Sequence, residues 1–99
     1  MSTSRIQNTN LKHQMTPTSF VDMLKNCPHQ KLYMEDIWNL HKYPDYPSGV
    51  GTSNYFKIVV IGSGSVRFAR VVLFCPTKVY VGQLNATEDA VEWAGYSPS

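Results

Sequence analysis

The strongest constraint in this chain is a change of hydrophobic period near its middle. Tyr55–Ile61 (YFKIVVI), Val66–Phe74 (VRFARVVLF) and Lys78–Leu84 (KVYVGQL) are rich in β-branched and aromatic residues. Gly62-Ser63-Gly64-Ser65 and Cys75-Pro76-Thr77 punctuate them. Short β-rich runs separated by turn residues predict an antiparallel meander of three strands joined by hairpins.

The flanks read as helical. Thr16-Pro17-Thr18-Ser19 is a helix start signal, and Phe20, Val21, Met23 and Leu24 follow as an apolar stripe. Pro28 ends that helix near Asn26-Cys27, since a proline disfavours helical geometry in the residue before it. Over 33–43 (YMEDIWNLHKY), Tyr33, Ile37, Leu40 and His41 share a helical face, which predicts an inserted helix stopped by Pro44. After the sheet, Asn85 or Thr87 is a candidate cap, with Glu88 and Asp89 in a first turn and Ala90, Val91, Trp93 and Ala94 as the apolar side of a closing helix.

The expected architecture is therefore α+β: an α-β-β-β-α order with a three-stranded antiparallel sheet, helices packed on one face and an extra helical insertion near 33–43. A chain of 99 residues is one domain. Residues 1–15 read as a flexible lead-in, 16–96 as the domain and 97–99 as a tail.

The stretch VRFARVVLFCPTKVYVGQLNATEDAVEWA (66–94) resembles the second strand, third strand and closing helix of the double-stranded-RNA-binding domain. Lys78-Val79-Tyr80 with Gly82 matches that family's third strand, and Ala90 and Ala94 match the alanines its last helix lays on the sheet. The resemblance implies the α-β-β-β-α fold and a role in RNA processing or RNA silencing. It also implies a basic grip at the start of the closing helix, yet the matching positions here are Thr87, Glu88 and Val91. The family's Pro/His-bearing loop between its first two strands is matched by Gly62-Ser63-Gly64-Ser65, which has neither residue. Affinity for a phosphate backbone depends on Lys and Arg, so the resemblance carries double-stranded RNA binding only weakly, with Lys25, Lys31 and Lys42 as its candidate contacts.

Nothing in the sequence gathers into a catalytic set. Cys27, His29, His41 and Cys75 lack the paired short spacing of structural zinc ligands. Cys27 with His29 lacks a third group to orient the imidazole. Glu35 and Asp36 are adjacent on the expected helix and point apart. Gly62-Ser63-Gly64-Ser65 precedes a strand, whereas a phosphate loop precedes a helix. The expectation is a non-catalytic module with no cofactor and no metal. Nine Lys and Arg against seven Asp and Glu give +2, too small a balance to indicate nucleic acid by itself. The polar start with no apolar run, and only two cysteines, predict a reduced intracellular setting, cytoplasmic or nuclear. Asn85-Ala86-Thr87 is then a chance sequon. No run approaches the ~20 apolar residues of a membrane span.

Alternation assigns Phe56, Ile58, Val60, Phe68, Val72, Phe74, Val79 and Val81 to the core face, with Phe20, Leu24, Ala90 and Trp93 packed among them. It leaves Val59, Ile61, Val71, Leu73 and Tyr80 on the other face. That is a large apolar patch for a half-exposed sheet, and such patches mark protein interfaces. These five residues are the expected contact surface for a homodimer or a docked protein partner. The alternative is that the 33–43 helix covers them.

Overall fold

The structure, a computed structural model, describes residues 15–51 and 54–98. The element order is one helix, α1 (Phe20–Asn26), followed by five strands: β1 (Leu32–Ile37), β2 (Phe56–Ile61), β3 (Arg70–Phe74), β4 (Val79–Leu84) and β5 (Val91–Tyr96). They form a single antiparallel sheet in sequence order, β1-β2-β3-β4-β5. Most of the expected lead-in, residues 1–14, and the last tail residue lie outside the described residues.

α1 forms where its caps are. The Ser19 hydroxyl accepts from the Asp22 amide at 3.0 Å. The carboxylate of Asp45, far along the chain, accepts from the amides of Phe20 at 2.8 Å and Val21 at 2.9 Å. Four amides at a helix start lack partners within the helix, so a bidentate carboxylate from the β1–β2 connection both satisfies two of them and ties that connection down. Phe20, Met23 and Leu24 on the buried side of α1 meet Tyr33, Ile37, Phe56, Ile58, Val60, Val71 and Leu73 from the sheet. Leu40 and Tyr43 from the connection complete this core. Trp93 of β5 lies across Gly82, where a Cβ would fall 2.9 Å from the indole, and meets Phe20 edge-on at 5.0 Å between ring centres.

This architecture corrects the expected α-β-β-β-α order: the sheet has five strands, and two segments read as helices are strands. Residues 33–37 lie in β1, and only Leu40–Lys42 makes a short 3₁₀ turn. Tyr33 and Ile37 are four apart, a spacing that puts two residues on one face of a strand as well as of a helix. The buried Glu35 between them follows the period of a strand. The expected closing helix is β5, reached through a turn at Asn85–Ala90. Asn85 caps that turn, its side-chain oxygen accepting from the amides of Asp89 at 3.0 Å and Ala90 at 3.3 Å. Glu88 takes φ +60°, which a helix interior does not permit. The part of the family resemblance that rested on a closing helix goes with that helix, since 91–96 is a strand.

The face assignment is corrected too. Ile58 pairs with Leu73, Val60 with Val71, and Leu73 with Tyr80, so these residues share the inner face. Val71 and Leu73 are fully buried and Tyr80 nearly so. Phe68, expected in the core, is 71% exposed in the 3₁₀ turn Val66–Phe68, while Val72, Val79 and Val81 face outward. Ala90 is exposed. A shift of one residue moves every side chain of a strand to the opposite face. The short turn before β3 supplies that shift, because a parity counted from Phe68 does not carry through it into the strand.

Candidate protein interface

α1 and the β1–β2 connection cover one face of the sheet. Among the described residues nothing covers the other face, and its side chains follow from the register. A central row runs across all five strands: Met34, Val59, Val72, Val81 and Ala94. Every member is apolar, and the first four are half-buried. On one side lies the row Asp36, Lys57, Phe74, Val79 and Tyr96. On the other lie Leu32, Ile61 and Arg70, continued by the paired Gln83 and Glu92. Exposure is large for apolar groups: 47% for Ile61, 43% for Phe74 and 60% for Tyr96. Trp38 and Tyr55, one step beyond the Asp36 row, stack edge-on at 5.0 Å, with Trp38 70% exposed. A shallow apolar depression at this rim is lined by Tyr55, Lys57, Phe74, Cys75 and Pro76.

The charges of this face are few and peripheral. Lys57 pairs with Asp36 at 3.7 Å across β1 and β2. Arg70 turns back on the main chain, donating from Nη1 to the carbonyls of Arg67 at 2.9 Å and Ala69 at 3.0 Å. Glu92, at the far corner, makes no ion pair among the described residues.

Of the five residues expected to form the contact surface, Val59 and Ile61 lie on this open face. Val71, Leu73 and Tyr80 belong to the core. The open face instead presents Met34, Val72, Phe74, Val79, Val81 and Tyr96. Period-2 alternation in β2 pointed to Val59 and Ile61 directly, whereas Met34 was hidden by the helical reading of 33–43. Of the helix expected to cover this face, 33–37 lies instead in the edge strand β1, and Leu40 and Tyr43 pack into the core on the covered side.

The three lysines proposed as RNA contacts are not gathered. Lys31 and Lys42 flank opposite ends of β1, and Lys25 sits in the last turn of α1. Lys42 donates to Glu35 Oε2 at 2.9 Å.

That ion pair belongs to a second cluster, under the covered side of β1. Glu35 is 7% exposed, and the hydroxyls of Tyr33 (2.6 Å) and Tyr43 both donate to its Oε1. Burial alone would push the carboxyl up, but the two hydroxyls and the Lys42 ammonium outweigh it and hold the group below its ordinary value. Burial and the adjoining carboxylate push both tyrosines up, so they remain neutral donors. Every member of the cluster is engaged in holding its neighbours. It fastens the Leu40–Lys42 turn to β1.

Cys27 is buried, its thiol donating to the Lys31 carbonyl at 3.4 Å, and burial pushes it up. His29 accepts the Gly64 amide at Nδ1, 2.9 Å away. Among the described residues no three His, Cys, Asp or Glu side chains are grouped as metal ligands, and no helix is long and apolar enough to cross a membrane.

No family model, curated protein or solved structure matches the chain.

Proposed function

We propose that this chain is a non-catalytic binding module that works by protein–protein association, with the open face of the sheet as its contact surface. The observation that carries this reading is the unbroken apolar row Met34–Val59–Val72–Val81–Ala94, bordered by exposed Ile61, Phe74 and Tyr96. A contiguous apolar surface of this extent is unusual on a monomeric soluble domain and typical of interfaces. Large aromatic side chains at its rim are the residue types enriched in contact surfaces. Covering Val59, Val72 and Val81 removes apolar area from water at about 25 cal/mol per Å², offset in part by the rigid-body freedom lost on association.

A nucleic-acid partner finds less on this surface. Its two cations are engaged, Lys57 by Asp36 and Arg70 by main-chain carbonyls. Binding to a ~20-base-pair RNA duplex is expected to be no tighter than non-specific, roughly 10⁻⁴ to 10⁻⁶ M at physiological salt by analogy with DNA. Fluorescence anisotropy checks this; submicromolar binding that falls steeply with salt points to RNA instead.

The contact surface is tested by thiol labelling, whatever the partner is. In a Cys75→Ser background, Val72→Cys puts a thiol at the centre of the face and Ala86→Cys puts one on the β4–β5 turn. The reading expects slow labelling of the Val72→Cys variant in cells expressing it and fast labelling after purification and dilution, with the Ala86→Cys variant labelled fast in both. Equal rates for the Val72→Cys variant in cells and in dilute solution would refute it.

A further inference from the structure

We infer that the partner of the open face is a second copy of this chain, bound face to face with the strands of the two sheets crossing at nearly a right angle. This rests on the reading of that face as a protein contact surface, and adds who binds it and how.

Three observations carry it. The first is charge. The face holds two carboxylates, Asp36 and Glu92, and two cations, Lys57 and Arg70, and so has no net charge. A surface that is neutral as a whole does not select a strongly acidic or basic partner.

The second is where the opposite charges sit. Lys57 is on β2 in the row of Phe74, and Glu92 is on β5 in the row of Gln83. They occupy diagonally opposed places on the face. A two-fold axis lying in the contact plane, perpendicular to that diagonal, sets Lys57 of each copy against Glu92 of the other, twice per dimer. With strands ~4.8 Å apart and ~3.3 Å per residue, this axis passes between Val72 and Val81 and makes the strands cross at ~90°. Packed sheets adopt either a near-aligned or an orthogonal arrangement, so the charge pattern selects an allowed one. It also brings the apolar centre of one copy onto that of the other, as an isologous contact requires. Glu92 gains a cation that it lacks among the described residues, and Lys57, held at 3.7 Å by Asp36, is shared between two carboxylates.

The third is size. Five strands of about six residues give a face of roughly 24 by 20 Å. Crossed copies overlap over about 20 by 20 Å of it, and side-chain relief raises the area covered towards the ~600 Å² per partner at the low end of stable complexes.

Charge exchange tests the arrangement. Sedimentation equilibrium is run on the native chain, Lys57→Glu, Glu92→Lys and the double variant, with circular dichroism to confirm folding. The native chain is expected to dimerise. Each single variant opposes like charges twice and is expected to weaken the dimer about three- to tenfold; the double variant is expected to return to within about twofold of native. Lys57→Glu also sets a second carboxylate beside Asp36, a defect within the chain that Glu92→Lys does not touch, so recovery reads the contact between copies. A native dimer whose single variants are unaffected, or whose double variant stays weak, overturns the crossed arrangement. A native chain that remains monomeric to about 1 mM, a limit that leaves only ~4 kcal/mol of association, overturns the second copy. Protection of the Val72→Cys thiol in cells then separates the two failures: if it persists, the face contacts another protein, and if it is lost, the contact-surface reading fails as well.

Discussion

The indole N–H of Trp93 donates to the main-chain oxygen of Asp45 at 3.0 Å, joining residues 48 apart. Asp45 at the same time holds the first amides of α1 through its carboxylate. The last strand, the β1–β2 connection and the helix start are thus fastened at one point, on the covered side of the sheet. Among the described residues, no element shields the opposite side.

Replacing Trp93 by alanine removes the hydrogen bond, the edge-on contact with Phe20 and the cover over Gly82 together. Large aromatic-to-alanine changes cost about 3–5 kcal/mol. Because Trp93 is only partly buried, the expected loss is near the lower end, and denaturant melts measure it. Hydrogen exchange is expected to quicken at Phe20 and Val21, whose amides depend on the Asp45 carboxylate.

The face correction has an energetic signature. Phe56 is fully buried, and Phe56→Ala is expected to cost about 3–5 kcal/mol. Phe68 is 71% exposed, and Phe68→Ala is expected to change stability by no more than about 0.5 kcal/mol. A large loss at Phe68 in the same melts would restore the face assignment that alternation alone suggests.

Gly62 sits where the α1–β1 turn meets the end of β2. Its amide donates to the Lys31 carbonyl at 2.9 Å, and an added Cβ would stand 2.0 Å from the Pro28 oxygen, a main-chain atom that cannot step aside. Gly62→Ala is expected to destabilise by about 3 kcal/mol or more, in the range of overpacked sites. Among the described residues a Cβ at Gly51 would meet only the Asn54 side chain at 3.8 Å, so Gly51→Ala is expected to be neutral or slightly stabilising in thermal melts.

Acid is expected to weaken the fold through Glu35. Its carboxyl is held below the ordinary value of 4.5. A group depressed in the folded state contributes stability that is fully present above its unfolded value and is lost as pH falls through the folded one. Urea midpoints are therefore expected to fall as pH drops below about 4.5. Glu35→Gln is expected to flatten that fall while lowering stability at neutral pH, since Tyr33 and Tyr43 lose a charged acceptor. An unchanged acid profile in the variant would remove Glu35 as its cause.

How far the sequence discloses this molecule follows from the range of each signal. Local chemistry is legible: the Thr16-Pro17-Thr18-Ser19 start signal, Pro28 after the helix, and the Cys75-Pro76-Thr77 turn all act within a few residues. The long-range fastenings are not. Asp45 caps a helix 24 and 25 residues away, a partnership that no local spacing encodes. Segments whose apolar spacing satisfies both periods were decided by pairing: 33–37 became β1 through β2, and 91–96 became β5 through β4. For the contact surface, an apolar excess in the sheet was visible, and Val59 and Ile61 were placed on the open side. Which residues of β3 and β4 join them depended on the three-residue turn at Val66–Phe68, whose effect on strand parity is structural.

The most direct measurement of the central claim is the solution mass of the native chain beside Val72→Asp, by sedimentation equilibrium from about 1 μM to 1 mM, with circular dichroism on both. Val72 stands mid-row on the open face, paired with Val59 and Val81, so a carboxylate there faces outward and leaves the core intact. The expected result is a native chain that associates with micromolar or tighter affinity and a Val72→Asp chain that is folded and monomeric. A native chain that stays monomeric throughout while Val72→Asp unfolds would contradict the account, because the open face would then be part of the domain's own interior.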